Sequence, residues 1–505
     1  MKLGTRTDRA KINILTSLIY QAVALMCGLI VPRLLIGTYG SEVNGAVSSI
    51  TTFLSYIVLM EAGIGALSRS VLYKALAEKN QEDLEGIVYE TKSFFRKVAY
   101  VFAAYVLLLA AAFKWISNAD ALDFWVSFGL VIVIAISTFA EYFIGVTYSI
   151  LIKADQQEYI TLVLRAISIF LNMIVVVILV KAGCSILTVK LASGIVYGIR
   201  PVIIAIYTKK KYHLENIKPS GKKYLTQKKT ALGQHIAWTL HNNTDVAVLT
   251  IFQNLALVSV YAVYNMITTK VQELVQAFTG TMEPIFGDYY SRGDKKALNK
   301  TFEYYETFVS LISVVLFTCV SILIAPFVTI YTRDISDVNY IYPTFGIILA
   351  SASLIFNLRS PYNDLVVAAG HFRETRMAAY GEAAINIVLS IIFVFKYGLL
   401  GVAIGTAIAT FYRMVFFAIY LSKNIIERPI GLFIKRCLVN GITYAALVIA
   451  GTKIVGGFAI DGYLTWIIAG AASCIGAAVI TLAVNYVFYK DDVTEIIKRA
   501  FKKIR

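Results

Sequence analysis

The sequence predicts an all-α integral membrane protein with about fourteen transmembrane helices. Three observations carry that reading. Of 505 residues, 58% are hydrophobic and only 15% charged, where a soluble domain carries about 25% charged residues to cover its surface. The apolar runs are continuous, as in FAAYVLLLAAAF and LNMIVVVILV, whereas barrel strands alternate over about ten residues. A backbone in lipid must satisfy its own hydrogen bonds, so helices are the remaining choice. Finally, lysine and arginine concentrate in alternate loops, as expected of a multi-span chain.

In chain order, the first span covers 12–36 and follows Lys2, Arg6, Arg9 and Lys11. It is long enough to cross and reads as a span, not a cleavable signal. Spans at 44–68, 96–116, 121–149, 158–180 and 185–207 complete a first set of six. A second set follows at 230–254, 257–281, 304–331, 340–367, 376–396 and 399–422, its first two members being the most polar of all. Two further spans lie at 435–456 and 462–488.

The loops test this count. On one side fall the basic N-terminus, Lys74 to Lys97, the stretch KKKYHLENIKPSGKKYLTQKK, Arg292 to Lys300, Arg373 with Arg376, Lys423 to Arg436, and the tail KDDVTEIIKRAFKKIR. On the other fall GTYGSEVNG, KWISNAD, KAGCS, TRDISDVNY, KYG and GGFAIDG. Basic loops stay in the cytoplasm, which places both termini there and the chain in the cell inner (cytoplasmic) membrane. The net charge of +16 then belongs to loops facing anionic lipid, and no nucleic acid is expected.

The chain also repeats itself. Tyr148 stands 214 residues before Tyr362 and Asn172 stands 214 before Asn386; Arg200 and Tyr207 recur as Arg413 and Tyr420. Six spans separate equivalent points, so the halves share one orientation, related by an axis along the membrane normal. The expected division is a six-helix bundle at 1–208, a basic cytoplasmic linker at 209–229, a second bundle at 230–430, two appended helices at 431–489 and a cytoplasmic tail at 490–505.

Ionisable residues inside a membrane mark function by default. The basic ones are Arg33, Arg165, Lys190, Arg200, Lys270, Arg359 and Arg413; the acidic ones are Glu61, Glu141, Asp245, Glu273 and Glu382. Glu61, Lys190 and Arg33 lie where they can reach the headgroups. Lys270 and Glu273 are spaced to pair along their helix. Arg165, Arg200 and Arg413 have no acidic residue one turn away, and Arg359 precedes Pro361. Guanidinium forks in such positions suit phosphate or carboxylate. Polar residues also form stripes: Asn13, Ser17, Tyr20 and Gln21 in span one; Gln234, Trp238, His241, Asn242 and Asp245 in span seven; Tyr261, Tyr264, Asn265, Thr268 and Gln272 in span eight. These serve either as interhelical hydrogen-bonding glue or as the wall of a wet cavity. Asp245 and Glu141 are the candidates for coupling to an ion.

Chemistry elsewhere is thin. The histidines have no metal-ligand spacing, the five cysteines are scattered, and there is no Walker motif and no large outer loop. Neither a cofactor nor a metal is expected, and the chain does not read as an enzyme.

Certain residues carry a resemblance: Gln21, Pro32-Arg33-Leu-Leu, Tyr39-Gly40-Ser-Glu-Val-Asn-Gly45, Glu61-Ala-Gly-Ile-Gly65, Leu72-Tyr-Lys74, Tyr148 with Ala154-Asp155-Gln156, and Gly398-Leu-Leu-Gly401-Val-Ala-Ile-Gly405. Over essentially its whole length the chain resembles the polysaccharide (O-antigen and capsule repeat-unit) flippases of the multidrug/oligosaccharidyl-lipid/polysaccharide exporter superfamily. The resemblance implies two six-helix bundles around a central cavity. It implies export of an undecaprenyl-diphosphate-linked oligosaccharide from the inner to the outer leaflet. Arg33, Arg165, Arg200, Arg359 and Arg413 would then meet the diphosphate; Gln21, Asn242, Tyr264 and Asn265 would meet the glycan. The expected partners are the lipid-linked oligosaccharide, membrane lipids, a coupling H+ or Na+, and the polysaccharide polymerase machinery. The alternatives are a peptidoglycan-precursor flippase, a drug or organic-cation antiporter of the same superfamily, a membrane glycan polymerase or ligase, and a structural membrane subunit.

Overall fold

The computed structural model describes residues 6–61, 63–117, 122–214, 224–225, 232–279, 282–426 and 428–502. All regular structure among them is helical. The first helices are α1 (Arg6–Tyr39), α2 (Ser41–Ser55), α3 (Ile64–Glu78), α4 (Gln81–Ile116), α5 (Phe124–Ala140), α6 (Val146–Ala154), α7 (Glu158–Lys181) and α8 (Ile186–Lys211). Then come α9 (Leu232–Phe252), α10 (Leu255–Thr279), α11 (Glu283–Ser291), α12 (Lys295–Tyr331), α13 (Pro343–Ala368), α14 (Phe372–Tyr397) and α15 (Leu399–Asn424). The chain closes with α16 (Ile430–Gly456), α17 (Tyr463–Phe488) and the amphipathic α18 (Lys490–Lys502).

Eleven helical segments among the described residues are long and apolar enough to cross a membrane. The more polar α9, α10 and α13, of 21, 25 and 26 residues, bring the long helical segments to the fourteen expected. Helix ends differ from the hydropathic spans because caps, not hydropathy, decide them. Asn80 accepts from the Asp83 amide at 3.1 Å and starts α4 well before residue 96. Asp294 accepts from the Ala297 amide at 3.0 Å and starts α12 before residue 304. The expected span 44–68 is not one straight helix. After α2 the chain tightens into a 3-10 stretch to Met60, and Gly63 turns it through a left-handed conformation, φ +75°, which glycine adopts without steric cost.

The chain forms two compact units, Met1–Thr239 with Gln253–Ser259, and Leu240–Phe252 with Val260–Arg505. The helix order repeats: α4 begins at Gln81 and α12 at Lys295, α7 at Glu158 and α14 at Phe372, the same 214-residue step that separates Tyr148 from Tyr362. In the first unit Phe95, Phe102 and Phe113 of α4 are fully buried among α5 and α6 residues such as Leu130, Val131 and Leu151. In the second, Phe302 of α12 lies with Tyr362 of α13 and Phe417 of α15. There, α16, α17 and α18 all pack on α12.

Candidate functional site

Each unit holds its own polar cavity. In the first, a cavity of about 360 Å³ is lined by Thr51 and Ser55 of α2, Ser137 and Thr138 of α5, Tyr142, and Lys190 and Tyr197 of α8. Lys190 is its only charged lining residue among the described residues. Its expected reach to the headgroups is not what the fold provides, because α8 turns it inward. Among the described residues it has no ion-pair or hydrogen-bond partner.

Two carboxylates lie nearby in sequence space but are spoken for. Between α5 and α6 the helix widens into a π turn, Glu141–Gly145, a distortion frequent at functional sites. Gly145 lets α8 approach there: a Cβ on it would stand 2.6 Å from the Pro201 Cβ. The approach brings Arg200 Nη2 to 3.0 Å from Glu141 Oε2. Glu61, expected at the headgroups, instead accepts from the Tyr142 hydroxyl at 2.5 Å.

In the second unit, a cavity of about 110 Å³ is lined by Asn242 and Asp245 of α9, Tyr261, Asn265, Thr269 and Gln272 of α10, and Thr406 and Thr410 of α15. Asp245 is 3% exposed. Tyr261 donates to its Oδ2 at 2.9 Å and Thr406 to its Oδ1 at 2.6 Å. Asn386 of α14 in turn donates to Thr406 at 2.8 Å. No described cation pairs with Asp245, so the arginine partner that a purely structural carboxylate would need is not there. A buried charge is costly unless paired, so this carboxylate calls for a proton or a bound cation.

Three of the four arginines expected to stand unpaired do not. Glu382 of α14, 1% exposed, receives Arg359 Nη1 and Arg413 Nη1, both at 2.5 Å. Each guanidinium also lies over a ring: Arg359 is 4.4 Å from the Phe356 centroid and Arg413 5.0 Å from that of Phe417. Together with Arg200 on Glu141, three of the five candidate arginines thus have carboxylate partners on other helices, which spacing along one helix cannot reveal. Of the remaining two, Arg33 is half-buried near the end of α1 and Arg165 is exposed on α7. Lys270 and Glu273 form their i,i+3 pair at 2.7 Å.

The neutral candidates separate as well. Asn242 and Asn265 face the Asp245 cavity. Tyr264 is fully buried; its hydroxyl donates to the Tyr340 carbonyl at 3.0 Å and accepts from the Tyr342 amide at 2.9 Å. That fixes the approach to α13 and leaves the group engaged. Among the described residues Gln21 bonds only along its own helix, to Ser17 at 3.4 Å. The side chains of Gln234, Trp238 and His241 lie outside the described residues, as does most of the 209–229 linker. Among the described residues no cluster of three or more His, Cys, Asp or Glu is placed to hold a metal. Lys190 is the residue sequence reasoning undervalued; its signal was a lysine five residues into an apolar span with no acidic residue one turn away.

No protein-family model and no curated protein matches the sequence. Solved structures do match. The lipid II flippase MurJ in an inward closed conformation superposes with a TM-score of 0.69 at 16% identity, over 95% of this chain and 99% of its own. An inward-facing multidrug-resistance MATE transporter of the MOP superfamily gives 0.60 at 13% identity, over 79% and 93%. A MOP-superfamily transporter from Pyrococcus furiosus, described as having a binding pocket of reverse polarity, gives 0.57 at 13% identity, over 83% and 95%. The chain therefore has the fold of MOP-superfamily transporters and is a multi-span membrane protein.

Proposed function

We propose that this protein is a flippase, not an enzyme. It moves an undecaprenyl-diphosphate-linked oligosaccharide from the inner to the outer leaflet of the cytoplasmic membrane, by alternating access, for cell-surface polysaccharide synthesis. The observation that carries the reading is a pair of uncompensated charges on a transporter fold: Lys190 in the first unit's cavity and Asp245 in the second's. An ammonium is a point charge suited to phosphate, and the hydroxyls and tyrosines around Lys190 suit a sugar. Arg33 and Arg165 are the arginines assigned to the diphosphate on approach. Arg200, Arg359 and Arg413 contribute by holding helices through their carboxylates. Asp245, with Asn242 and Asn265 beside it, takes the coupling H+ or Na+. Both termini and the linker lie in the cytoplasm, so a reporter fused at Ser220 and active only outside stays silent.

The test is transbilayer movement of a fluorescent lipid-linked oligosaccharide in proteoliposomes. Wild-type protein accelerates it, and Lys190→Gln slows it at least about tenfold, the weight of one charge-assisted phosphate contact. Equal rates in the two would remove Lys190 from the mechanism. A second reading, flipping of lipid II, is favoured by the higher TM-score with MurJ, 0.69 against 0.60 for the MATE transporter. Unlabelled lipid II competing as well as the lipid-linked oligosaccharide would select it.

A further inference from the structure

The first unit has a second cationic feature, well removed in sequence from Lys190, on the outer face of α4. Tyr89, Lys92, Ser93, Arg96, Lys97 and Tyr100 line a groove of about 430 Å³. They recur every three or four residues, so they form one stripe of the helix. Lys209 of α8 is close enough to act on Lys92. Arg96 faces an aromatic ring, 5.1 Å from the Phe143 centroid. Among the described residues no carboxylate pairs with Lys92, Arg96 or Lys97. The nearest on the helix, Glu90, accepts instead from the Tyr224 amide at 2.9 Å.

The second unit shows what this face does when its charge is balanced. Residue 92 repeats, 214 on, as Glu306 of α12. Glu306 receives Arg428 at 2.7 Å and Arg436 at 2.9 Å, and the Tyr362 hydroxyl donates to it. Asp492 of α18 takes the other side of Arg436 at 2.9 Å. In the first unit Tyr148 is the repeat of Tyr362; it is 1% exposed and its hydroxyl has no acceptor, while Arg96 lies within electrostatic reach of it. So one unit surrounds a carboxylate with donors, and in the other Lys92 stands at the carboxylate's position beside Arg96 and the buried Tyr148 hydroxyl.

We propose that the α4 groove is a binding site for the phosphate of an anionic phospholipid headgroup of the cytoplasmic leaflet. The depth fits. Helix α4 has 36 residues, about 54 Å at its rise, against about 30 Å of hydrocarbon. Its uncharged apolar part is 98–113, about 24 Å at that rise, so residues 92–97 stand at the edge of the hydrocarbon, from which lysine and arginine reach the phosphates. Basic grooves between helices on that side are suited to such headgroups, and Tyr89 and Tyr100 are placed where interfacial tyrosines are favoured. The inference holds whatever cargo the transporter carries.

The full-length protein is purified in detergent and its retained lipids are weighed by native mass spectrometry after titration with phosphatidylglycerol, phosphatidylcholine or inorganic phosphate. Wild-type protein should hold one phosphatidylglycerol in clear preference to phosphatidylcholine. Affinity should fall about fivefold for each charge removed and about a hundredfold in Lys92→Gln/Arg96→Gln/Lys97→Gln. Lys295→Gln/Lys296→Gln, at the corresponding end of α12, should change nothing. Equal retention by the triple variant, equal loss in the control variant, or full displacement by millimolar inorganic phosphate each overturns the proposal. Should the triple variant not fold, acetylation of the wild-type protein decides. Lys92 and Lys97 should be protected by phosphatidylglycerol and not by phosphatidylcholine, and unprotected lysines overturn the site.

Discussion

The two units share a helix order and place opposite charges in it. The first lines its cavity with a lone lysine and the second with a lone aspartate. Their equivalent arginines, Arg200 and Arg413, both find a glutamate, but from different helices. Arg200 takes Glu141 from the π turn after α5, and Arg413 takes Glu382 from α14. The repeat thus conserves the arginine position within this chain while the counter-ion moves. The lesson is that a repeated scaffold fixes where a charge stands, and the surrounding helices decide whether it is a strut or a site.

The contrast between strut and site can be broken with one kind of change. Glu382→Gln leaves two guanidiniums in a site of 1–7% exposure without their carboxylate. Removing one partner of a buried pair costs about 3–5 kcal/mol, so folded yield and melting temperature in detergent should collapse. A variant as stable as wild type would mean that Glu382 is not a strut.

Asp245→Asn is the same chemical step with the opposite expectation. No cation loses its partner, so the variant should fold at least as well as wild type. In vesicles with an imposed proton or sodium gradient it should lose uphill accumulation and keep downhill exchange between leaflets. Unchanged gradient dependence would take Asp245 out of coupling; lost yield would make it a strut after all. Thr406→Ala sharpens this, because it deletes the 2.6 Å hydrogen bond to Asp245 and leaves the carboxylate in place. A shift of the ion's half-saturation of about tenfold is expected, the scale of one charge-assisted hydrogen bond.

The smallest effect should come from Glu141→Gln. Its pair with Arg200 is about one-fifth exposed on each side, against 1–7% for the Glu382 pairs, and only one guanidinium loses its carboxylate, so the loss should be smaller than that of Glu382→Gln. A loss as large as that of Glu382→Gln would show that the π turn, and not the exposure, sets the weight of the pair.

The membrane fold was legible because lipid imposes a coarse rule: long apolar stretches, basic loops on one side. Hydropathy even located α9, α10 and α13, though all three are more polar than the other long helices. It could not see caps, so α4 and α12 run further than expected, nor the left-handed turn at Gly63 that breaks the second span. Site reading fared less evenly, for one physical reason. A helix face is periodic and can be read from sequence, so Asp245 and Asn265 were found with the cavity they line. A partner on another helix is not periodic with anything. The arginines with the plainest lack of local neighbours, Arg359 and Arg413, proved the most deeply partnered. Lys190 was passed over because a lysine near a span end has an easy way out to water, which the inward turn of α8 denies it.

The cluster around Glu306 also sets a clock. Its arginines are Arg428 and Arg436 and the completing carboxylate is Asp492. The ribosome makes α12 first. Arg428 follows Glu306 by 122 positions, about 6–24 s of synthesis at usual elongation rates. Throughout that interval an acidic side chain destined for burial waits for its arginines, and Asp492 follows Arg436 by a further 56 residues. The second unit therefore completes this cluster only once Arg428, Arg436 and Asp492 have been made. In the first unit the corresponding wait is shorter, since Arg200 follows Glu141 within 59 residues.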